Sequence, residues 1–189
     1  MPLRSNRGDH ARVAEPEALF VVVSGPPASG KSTLAPALAS ELGLPLLAKD
    51  TIKDGLMSVL PVPDLEASRQ LGRASVVAML AVAAQAPLGA VIESTFHRSR
   101  ALDDLRRLPG AVVEVFCRCD AQVARDRYQA RSSSRQAGHF DSIRTVEELW
   151  NDEVAQPVAG GWPLMEVDTN RPGDVGAVVR FVRSSLRAP

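Results

Sequence analysis

Short apolar runs alternate along the chain with longer stretches in which apolar residues recur at helical spacing. The first run, residues 18–24, is rich in valine and predicts a strand buried on both faces. Further strands are predicted at residues 44–48, 90–92, 112–119 and 164–167. Strands that alternate with helices predict an α/β fold, with a parallel five-stranded sheet flanked by helices on both faces.

Helical spacing fills most of the intervals between these strands. The first predicted helix ends at Gly43, and Pro36 inside it is expected to remove a hydrogen bond and bend the helix. Residues 131–141 contain several turn formers and no period, which predicts a mobile loop. The other helices are predicted at residues 50–59, 65–85, 100–108, 121–128, 145–150 and 175–186.

One domain is expected, preceded by a polar segment. Residues 1–16 have no apolar period and predict a flexible N-terminal arm, and residues 17–189 form the single domain. The 22 basic and 22 acidic residues balance, which does not indicate a nucleic-acid partner. No apolar run approaches the ~20 residues of a membrane span, and the N-terminus lacks a secretory pattern. A cytoplasmic location is therefore expected, and the oligomeric state stays open.

A glycine-rich turn between the first strand and the first helix matches the phosphate-binding pattern GxxxxGK[ST] without a mismatch. Glycine lets the backbone approach a triphosphate, and the helix N-terminus adds N–H donors and partial positive charge. Lys31 is expected to reach the β- and γ-phosphates, and the Ser32 hydroxyl to ligate Mg²⁺. The sequence therefore predicts ATP and Mg²⁺ as cofactors. The predicted nucleotide-binding residues of this turn are Gly25, Pro26, Pro27, Ala28, Ser29, Gly30, Lys31, Ser32 and Thr33.

The turn alone does not separate kinases from GTPases, motor ATPases or transporters. The segment after the second strand, KDTIK, is more informative. In a doubly wound sheet the carboxyl ends of the strands face the ligand crevice, so Asp50 is expected near the γ-phosphate, where it can accept a proton from an attacking hydroxyl. Alternatively, Asp50 caps the next helix. Lys49 and Lys53 would favour an anionic acceptor or lower the pKa of Asp50, and lysine occurs elsewhere only at Lys31.

The third strand ends at Glu93, where a Walker B acid is expected. Glu93 is predicted to hold Mg²⁺ through water or to orient the acceptor. Aspartate is the usual residue at this position, so the metal role and the acceptor role both stay open. His97 and Arg98 follow within reach of the same crevice and are candidate substrate contacts, although a lone histidine is more often a surface or packed residue.

Arginines gather around the predicted mobile loop. Arg127 and Arg131 are four residues apart and share one helical face. Guanidinium groups on a closing lid can stabilise the charge of a transferring phosphoryl group. The alternative is a solvated arginine face paired with Asp120 and Asp126. The arginines in this region are Arg125, Arg127, Arg131 and Arg135.

The phosphate-binding turn, KDTIK, the strand end IEST and the segment RYQAR together resemble a group of P-loop kinases. It contains polynucleotide 5′-kinases, chloramphenicol phosphotransferases, zeta-toxin-type sugar-nucleotide kinases and proteins described only as AAA-type ATP-binding. The resemblance covers roughly residues 19–170 and departs from the group's pattern at Glu93 and Pro36.

This resemblance implies specific roles. Asp50 would be the general base and Lys53 would hold a phosphate or other acidic group of the acceptor. Arg127 and Arg131 would be lid arginines on ATP. The residues implied to frame the adenine are Asp168, Thr169 and Asn170.

These features predict an ATP- and Mg²⁺-dependent phosphotransferase that acts on a hydroxyl of a small molecule, such as an antibiotic, sugar, nucleoside or nucleotide. The predicted catalytic residues are Asp50, Lys31, Arg127 and Arg131. Two alternatives stay open. A 5′-hydroxyl nucleic-acid kinase would show a basic groove leading to Asp50, and a nucleotide-binding switch or ATPase would lack an acceptor pocket.

Overall fold

Five parallel strands form one sheet in the computed structural model, which describes residues 17–132 and 135–186. The strand order is β2-β3-β1-β4-β5, and every neighbouring pair is parallel. The predicted parallel five-stranded sheet is confirmed. The strands are β1 (Leu19–Ser24), β2 (Leu46–Ala48), β3 (Gly89–Glu93), β4 (Ala111–Arg118) and β5 (Leu164–Asp168).

Helices connect the strands and cover both faces of the sheet. Two single 3₁₀ turns, Ala137–His139 and Asp141–Ile143, lie between the fifth and sixth helices. The helices are α1 (Lys31–Leu42), α2 (Lys49–Met57), α3 (Leu65–Ala83), α4 (Arg98–Arg106), α5 (Ala121–Ser132), α6 (Val146–Leu149), α7 (Asp152–Ala155) and α8 (Val175–Ser185).

The central strand β1 contributes to two hydrophobic cores, one on each face of the sheet. Val21 and Val23 pack on the side covered by α1 and α8, together with Leu38. Phe20 and Val22 pack on the other side, against α3 and α4. All six residues of β1 are buried, which explains why the run shows no polar alternation.

The second strand is shorter than the sequence predicts. Leu44 belongs to the C-terminal cap of α1, because its N–H donates to the Ala39 carbonyl across Gly43, which has a φ of 67°. Pro45 has no N–H to give to a sheet, although its carbonyl accepts from Val91. Regular pairing therefore begins at Leu46 instead of residue 44.

The fifth and seventh helices also differ from the predictions. The fifth helix continues to Ser132, so Arg131 is helical. The short α7 was not predicted, and it begins where the Asn151 side chain accepts from the Glu153 N–H at 3.0 Å. The predicted cap of α6 is present, because Thr145 accepts from the Glu148 N–H at 3.2 Å.

Helix α1 is not interrupted at Pro36, which lies on its exposed side. The missing N–H leaves the Ser32 carbonyl without its helical partner, as expected, and the expected bend stays a prediction. The predicted arm at residues 1–16 lies outside the described residues, as do residues 133–134 of the predicted mobile loop. In the described ranges no helix is long and apolar enough to cross a membrane.

Candidate active site

The sheet register brings the chemistry-bearing segments to one edge. Glu93 pairs with Val23 of β1 on one side and with Ala48 of β2 on the other. The turn after β1, the start of α2 and the end of β3 therefore meet at the carboxyl edge of the sheet. They surround a cavity of about 550 Å³, which we call the central cavity.

The turn that follows β1 requires glycine at two positions. Gly25 has a φ of 139°, and a Cβ there would lie 2.4 Å from the Cys117 carbonyl oxygen. Gly30 has a φ of 90°, and a Cβ there would lie 3.2 Å from the Thr169 side chain. Ala28 also has a positive φ, of 61°. The turn is thus a tightly supported backbone loop ending at the N-terminus of α1, as phosphate binding requires.

Two side chains outside the motif hold this loop. The Thr169 hydroxyl lies 2.6 Å from the Ser29 carbonyl oxygen and 2.9 Å from that of Arg118. The Trp150 indole N–H donates to the Pro27 carbonyl at 3.4 Å. Neither contact was predicted, since neither residue lies near the motif in the chain. The implied role of Thr169 at the adenine stays a prediction.

Lys31 is folded back over the loop. Its Nζ donates to the Pro26 carbonyl at 2.7 Å, and the side chain is buried. Burial lowers the pKa of Lys31, while the neighbouring Glu93 carboxylate acts in the opposite direction. Lys31 and Ser32 both line the central cavity, whereas Thr33 is exposed in the first turn of α1.

The residues expected at the metal are compatible with Mg²⁺. Glu93 is buried, and burial raises its pKa while Lys31 opposes that change. The neighbouring Ser94 hydroxyl is buried and has no hydrogen-bond partner among the described residues. Ser32, Glu93 and Ser94 offer oxygen atoms, and Mg²⁺ commonly takes its remaining ligands from water and nucleotide phosphates. The described ranges contain no group of three His, Cys, Asp or Glu residues suited to a metal.

Asp50 is held by two cations. Its Oδ1 accepts from Lys49 Nζ at 2.7 Å and its Oδ2 from Arg135 Nη2 at 2.7 Å. Burial would raise the pKa of Asp50, but Lys49 and Arg135 lower it below its ordinary value. Asp50 is therefore ionised at neutral pH. It lies in the first turn of α2, whose N-cap is Ala48, so the capping alternative is wrong.

Lys53 is one of the largest fully buried side chains, with 1% of its surface exposed. Its Nζ donates to the Ser68 hydroxyl at 2.7 Å, and that hydroxyl donates to the Gly138 carbonyl at 2.6 Å. Burial, together with the nearby cations Lys49 and Arg144, lowers the pKa of Lys53 to about 8. Lys53 lines the central cavity together with Lys49 and Asp50.

The segment from Arg135 to Arg144, which we call the cover segment, packs against α2 and α3. His139 Nε2 lies 2.6 Å from Asp54 Oδ1, and His139 Nδ1 lies 2.9 Å from Arg135 Nη2. These contacts fit a neutral imidazole that donates from Nε2 and accepts at Nδ1. Burial lowers the pKa of His139, and the hydrogen bond to Asp54 opposes this. His139 was not predicted, because the segment has no sequence period.

The two predicted lid arginines have different surroundings. Arg131 lines the central cavity, and its guanidinium lies 5.2 Å from the centre of the Tyr128 ring. Arg127 instead donates to the carbonyls of Thr169 at 3.0 Å and Asn170 at 3.3 Å. Arg127 thus contacts the segment implied to frame the adenine.

The remaining predicted residues are divided between the cavity and its surroundings. His97 lines the central cavity, where burial and then Arg100 lower its pKa. Arg98 is exposed and donates to Gln156 Oε1 at 3.1 Å, so it is not brought to the cavity that the described residues form. In the segment after β5, the Asn170 N–H donates to Asp168 Oδ1 at 2.9 Å.

A parallel sheet with a GxxxxGKS turn between β1 and α1 defines a P-loop NTPase fold. A family model described as an AAA domain matches residues 20–155. The match covers more than half of the chain, and the chain belongs to this family. A search of curated proteins finds no match.

Solved structures share this fold. A candidate kinase from Chloroflexus aurantiacus is 29% identical, with 89% of this chain and 98% of that chain covered and a TM-score of 0.79. A shikimate kinase from Aquifex aeolicus is 18% identical, with 89% and 96% covered and a TM-score of 0.56. An APS kinase from Mycobacterium tuberculosis, solved with AMPPNP and APS, is 21% identical, with 92% and 99% covered and a TM-score of 0.53.

Proposed function

We propose that the protein is a kinase that transfers the γ-phosphoryl group of ATP, with Mg²⁺, to a hydroxyl of a small molecule. The observation that carries this proposal is the shared cavity of Asp50 and the P-loop residues Lys31 and Ser32. An ionised carboxylate opposite a phosphate-binding loop is the arrangement needed to accept a proton from an attacking hydroxyl. A simple nucleotide-binding switch has no need of such a carboxylate.

The proposed reaction uses each residue for one task. The acceptor oxygen forms a bond to the γ-phosphorus, the bond from that phosphorus to the β–γ bridging oxygen breaks, and ADP leaves. The acceptor proton goes to Asp50. Lys31 and Arg131 offset the negative charge of the transferring group. Mg²⁺, held by Ser32 and Glu93, would supply further charge neutralisation at the phosphates.

The size and lining of the central cavity support a small acceptor. Its volume of about 550 Å³ lies within the range of typical small-molecule sites, about 300–1,000 Å³. Helix α3 contributes Gly72, Val76 and Val77 to one wall, and Phe96 contributes to another. Apolar walls with convergent charged groups suit a compact organic molecule that carries a hydroxyl.

The structural relatives add support of a coarser kind. The Chloroflexus protein is described as a candidate kinase, and the shikimate and APS kinases have the same fold. The APS kinase was solved with AMPPNP, an ATP analogue, which favours ATP as the donor here.

The proposal is tested by measuring ADP formation with ATP and Mg²⁺ across hydroxylated antibiotics, sugars, nucleosides, nucleotides and 5′-hydroxyl oligonucleotides. The variant Asp50→Asn keeps the side-chain shape and removes the base. Asp126→Asn, on the exposed side of α5, is the matched control. We expect one class of acceptor to stimulate wild type and the control, and Asp50→Asn to lower that rate by about 10²–10⁴-fold with ATP binding retained.

Other results would identify the alternatives. Stimulation by oligonucleotides alone would favour the 5′-hydroxyl nucleic-acid kinase. ATP binding with no stimulation by any acceptor, and no effect of Asp50→Asn, would favour the nucleotide-binding switch.

A further inference from the structure

Arg135 forms an ion pair with Asp50, the carboxylate that the proposed function needs as a base. Its Nη2 lies 2.7 Å from Asp50 Oδ2 while Lys49 holds Oδ1 at the same distance. A guanidinium in this position stabilises the ionised carboxylate and weakens it as a proton acceptor. Asp50 becomes a stronger base if Arg135 moves to another anion.

Arg135 is anchored so that it can make this exchange without leaving the site. Its Nη1 pairs with Asp141 Oδ2 at 3.0 Å, and the side chain of Asp141 is 7% exposed. The Tyr128 hydroxyl donates to the other Asp141 oxygen at 2.8 Å. Asp141 therefore fixes one half of the guanidinium. Nη2, which contacts Asp50, also lies 2.9 Å from His139 Nδ1, and Arg135 lines the central cavity.

A second observation indicates an anionic ligand in the same place. Lys53 is buried to 99%, yet in residues 17–132 and 135–186 no carboxylate lies within ion-pair distance of its Nζ, which has only the Ser68 hydroxyl as a hydrogen-bond partner. A buried charge without a counter-charge is costly. Lys53 lines the central cavity, where a bound anion would supply the missing charge.

The wider charge of the cavity agrees with this reading. Within the described residues, nine lysine and arginine side chains line the central cavity against five carboxylates. Two of those carboxylates, Asp50 and Asp141, are already paired with Arg135. The phosphates of the nucleotide would offset part of this positive excess, and an acceptor with an anionic group would offset more of it than a neutral acceptor would.

We propose that the acceptor carries a phosphate or carboxylate group near its reacting hydroxyl, and that this group binds between Lys53 and Arg135 and draws Arg135 away from Asp50. This inference rests on the proposed function and adds the acceptor class and the control of the base. Asp50 is released from Arg135 only when an anionic acceptor is bound. Water is therefore a poor phosphoryl acceptor, and little ATP is hydrolysed when no acceptor is present. Arg135 is thus an acceptor-binding residue that also determines specificity.

The anion subsite is tested first by binding, without any reaction. The P-loop is filled with AMPPNP and Mg²⁺, and the protein is titrated with inorganic phosphate and, separately, with acetate by calorimetry. We expect at least one of the two anions to bind wild type, and Lys53→Met and Arg135→Gln to weaken that binding by at least about 10-fold. Arg135→Lys should restore part of it. Arg180→Gln, an exposed charge on α8, should bind as wild type does.

The control of the base is tested with matched acceptors. ATP turnover is compared for ribose and ribose 5-phosphate, and for glucose and gluconate, which separates phosphate from carboxylate as the anion. We expect the anionic member of a pair to have a kcat/KM at least about 10-fold higher in wild type. Arg135→Gln should lose that preference, and its hydrolysis of ATP without acceptor should rise severalfold. Thermal melting of each variant checks that it is folded.

The inference is overturned if wild type binds neither anion, if Arg135→Gln binds the anion as tightly as wild type, or if neutral and anionic acceptors are used equally. Anion binding that depends on Lys53 and Arg135, combined with no stimulation of ATP turnover by any hydroxyl compound, would support the subsite and contradict the proposed kinase activity. A failure of the anion subsite can therefore be distinguished from a failure of the proposed kinase activity.

Discussion

Lys53 is expected to reduce the stability of the protein at neutral pH, and replacing it with methionine should make the fold more stable. Burial and the neighbouring cations lower the pKa of Lys53 from 10.5 to about 8, and each pKa unit corresponds to about 1.4 kcal/mol. Keeping Lys53 protonated in the folded state at pH 7 therefore costs about 3 kcal/mol. Methionine has a similar length and no charge, but it loses the hydrogen bond to Ser68, worth about 1 kcal/mol. The net gain for Lys53→Met is about 2 kcal/mol.

The pH dependence follows from the sign of the pKa change. Between pH about 8 and 10.5 the unfolded chain holds the Lys53 proton and the folded protein has released it. The contribution of Lys53 to the stability of wild type therefore becomes less unfavourable as the pH rises across this window. Lys53→Met has no such proton, so its advantage of about 2 kcal/mol at pH 7 should disappear by about pH 10.

Urea unfolding followed by tryptophan fluorescence at pH 7 and pH 9.5 measures both quantities. Lys49→Met is the matched control, because Lys49 is 24% exposed and paired with Asp50, and its removal should give no gain. The reasoning would be refuted if Lys53→Met were less stable than wild type at pH 7. It would also be refuted if the variant's gain in the free energy of unfolding were the same at both pH values. A confirmed gain would indicate that this charge is retained for function at the expense of stability.

Two further predictions concern ligand binding. Lys53 loses its proton as the pH rises through about 8, so the KM for an anionic acceptor should rise about tenfold per pH unit above that pH. The variant Lys53→Arg should move this rise beyond pH 10. A wild-type KM that is constant from pH 7 to 9.5 would contradict the prediction. The variant Thr169→Val keeps the side-chain shape but loses the hydroxyl contacts to the Ser29 and Arg118 carbonyls. The Kd for AMPPNP should therefore rise about 5- to 10-fold in a calorimetric titration. An unchanged Kd would show that the P-loop does not need this support.

Most of the sheet and the glycine-rich turn after β1 are readable from the sequence, since both depend on local patterns. The apolar runs at β1 and β3 are continuous because these strands are buried on both faces. The P-loop motif specifies its own turn through glycine and its own helix start. The short β2 was less predictable, because Pro45 interrupts a run that otherwise looks like a strand from residue 44.

The acceptor side could not be predicted in the same way, because it depends on contacts between distant parts of the chain. Arg135 reaches Asp50 and His139 reaches Asp54 across 85 positions, and Lys53 meets Ser68 from another helix. The cover segment has no hydrophobic period, since polar contacts hold it. Arg127 and Arg131 share a helical face, yet one contacts the Asn170 carbonyl and the other lines the cavity.

The most direct test of the proposed function is a rapid-quench single-turnover experiment with ATP, Mg²⁺ and the best acceptor from the screen. Wild type should form phosphorylated acceptor and ADP in equal amounts, and Asp50→Asn should bind ATP normally but form product at least about 100-fold more slowly. Equal single-turnover rates in wild type and Asp50→Asn would contradict the assignment of Asp50 as the base and the mechanism built on it.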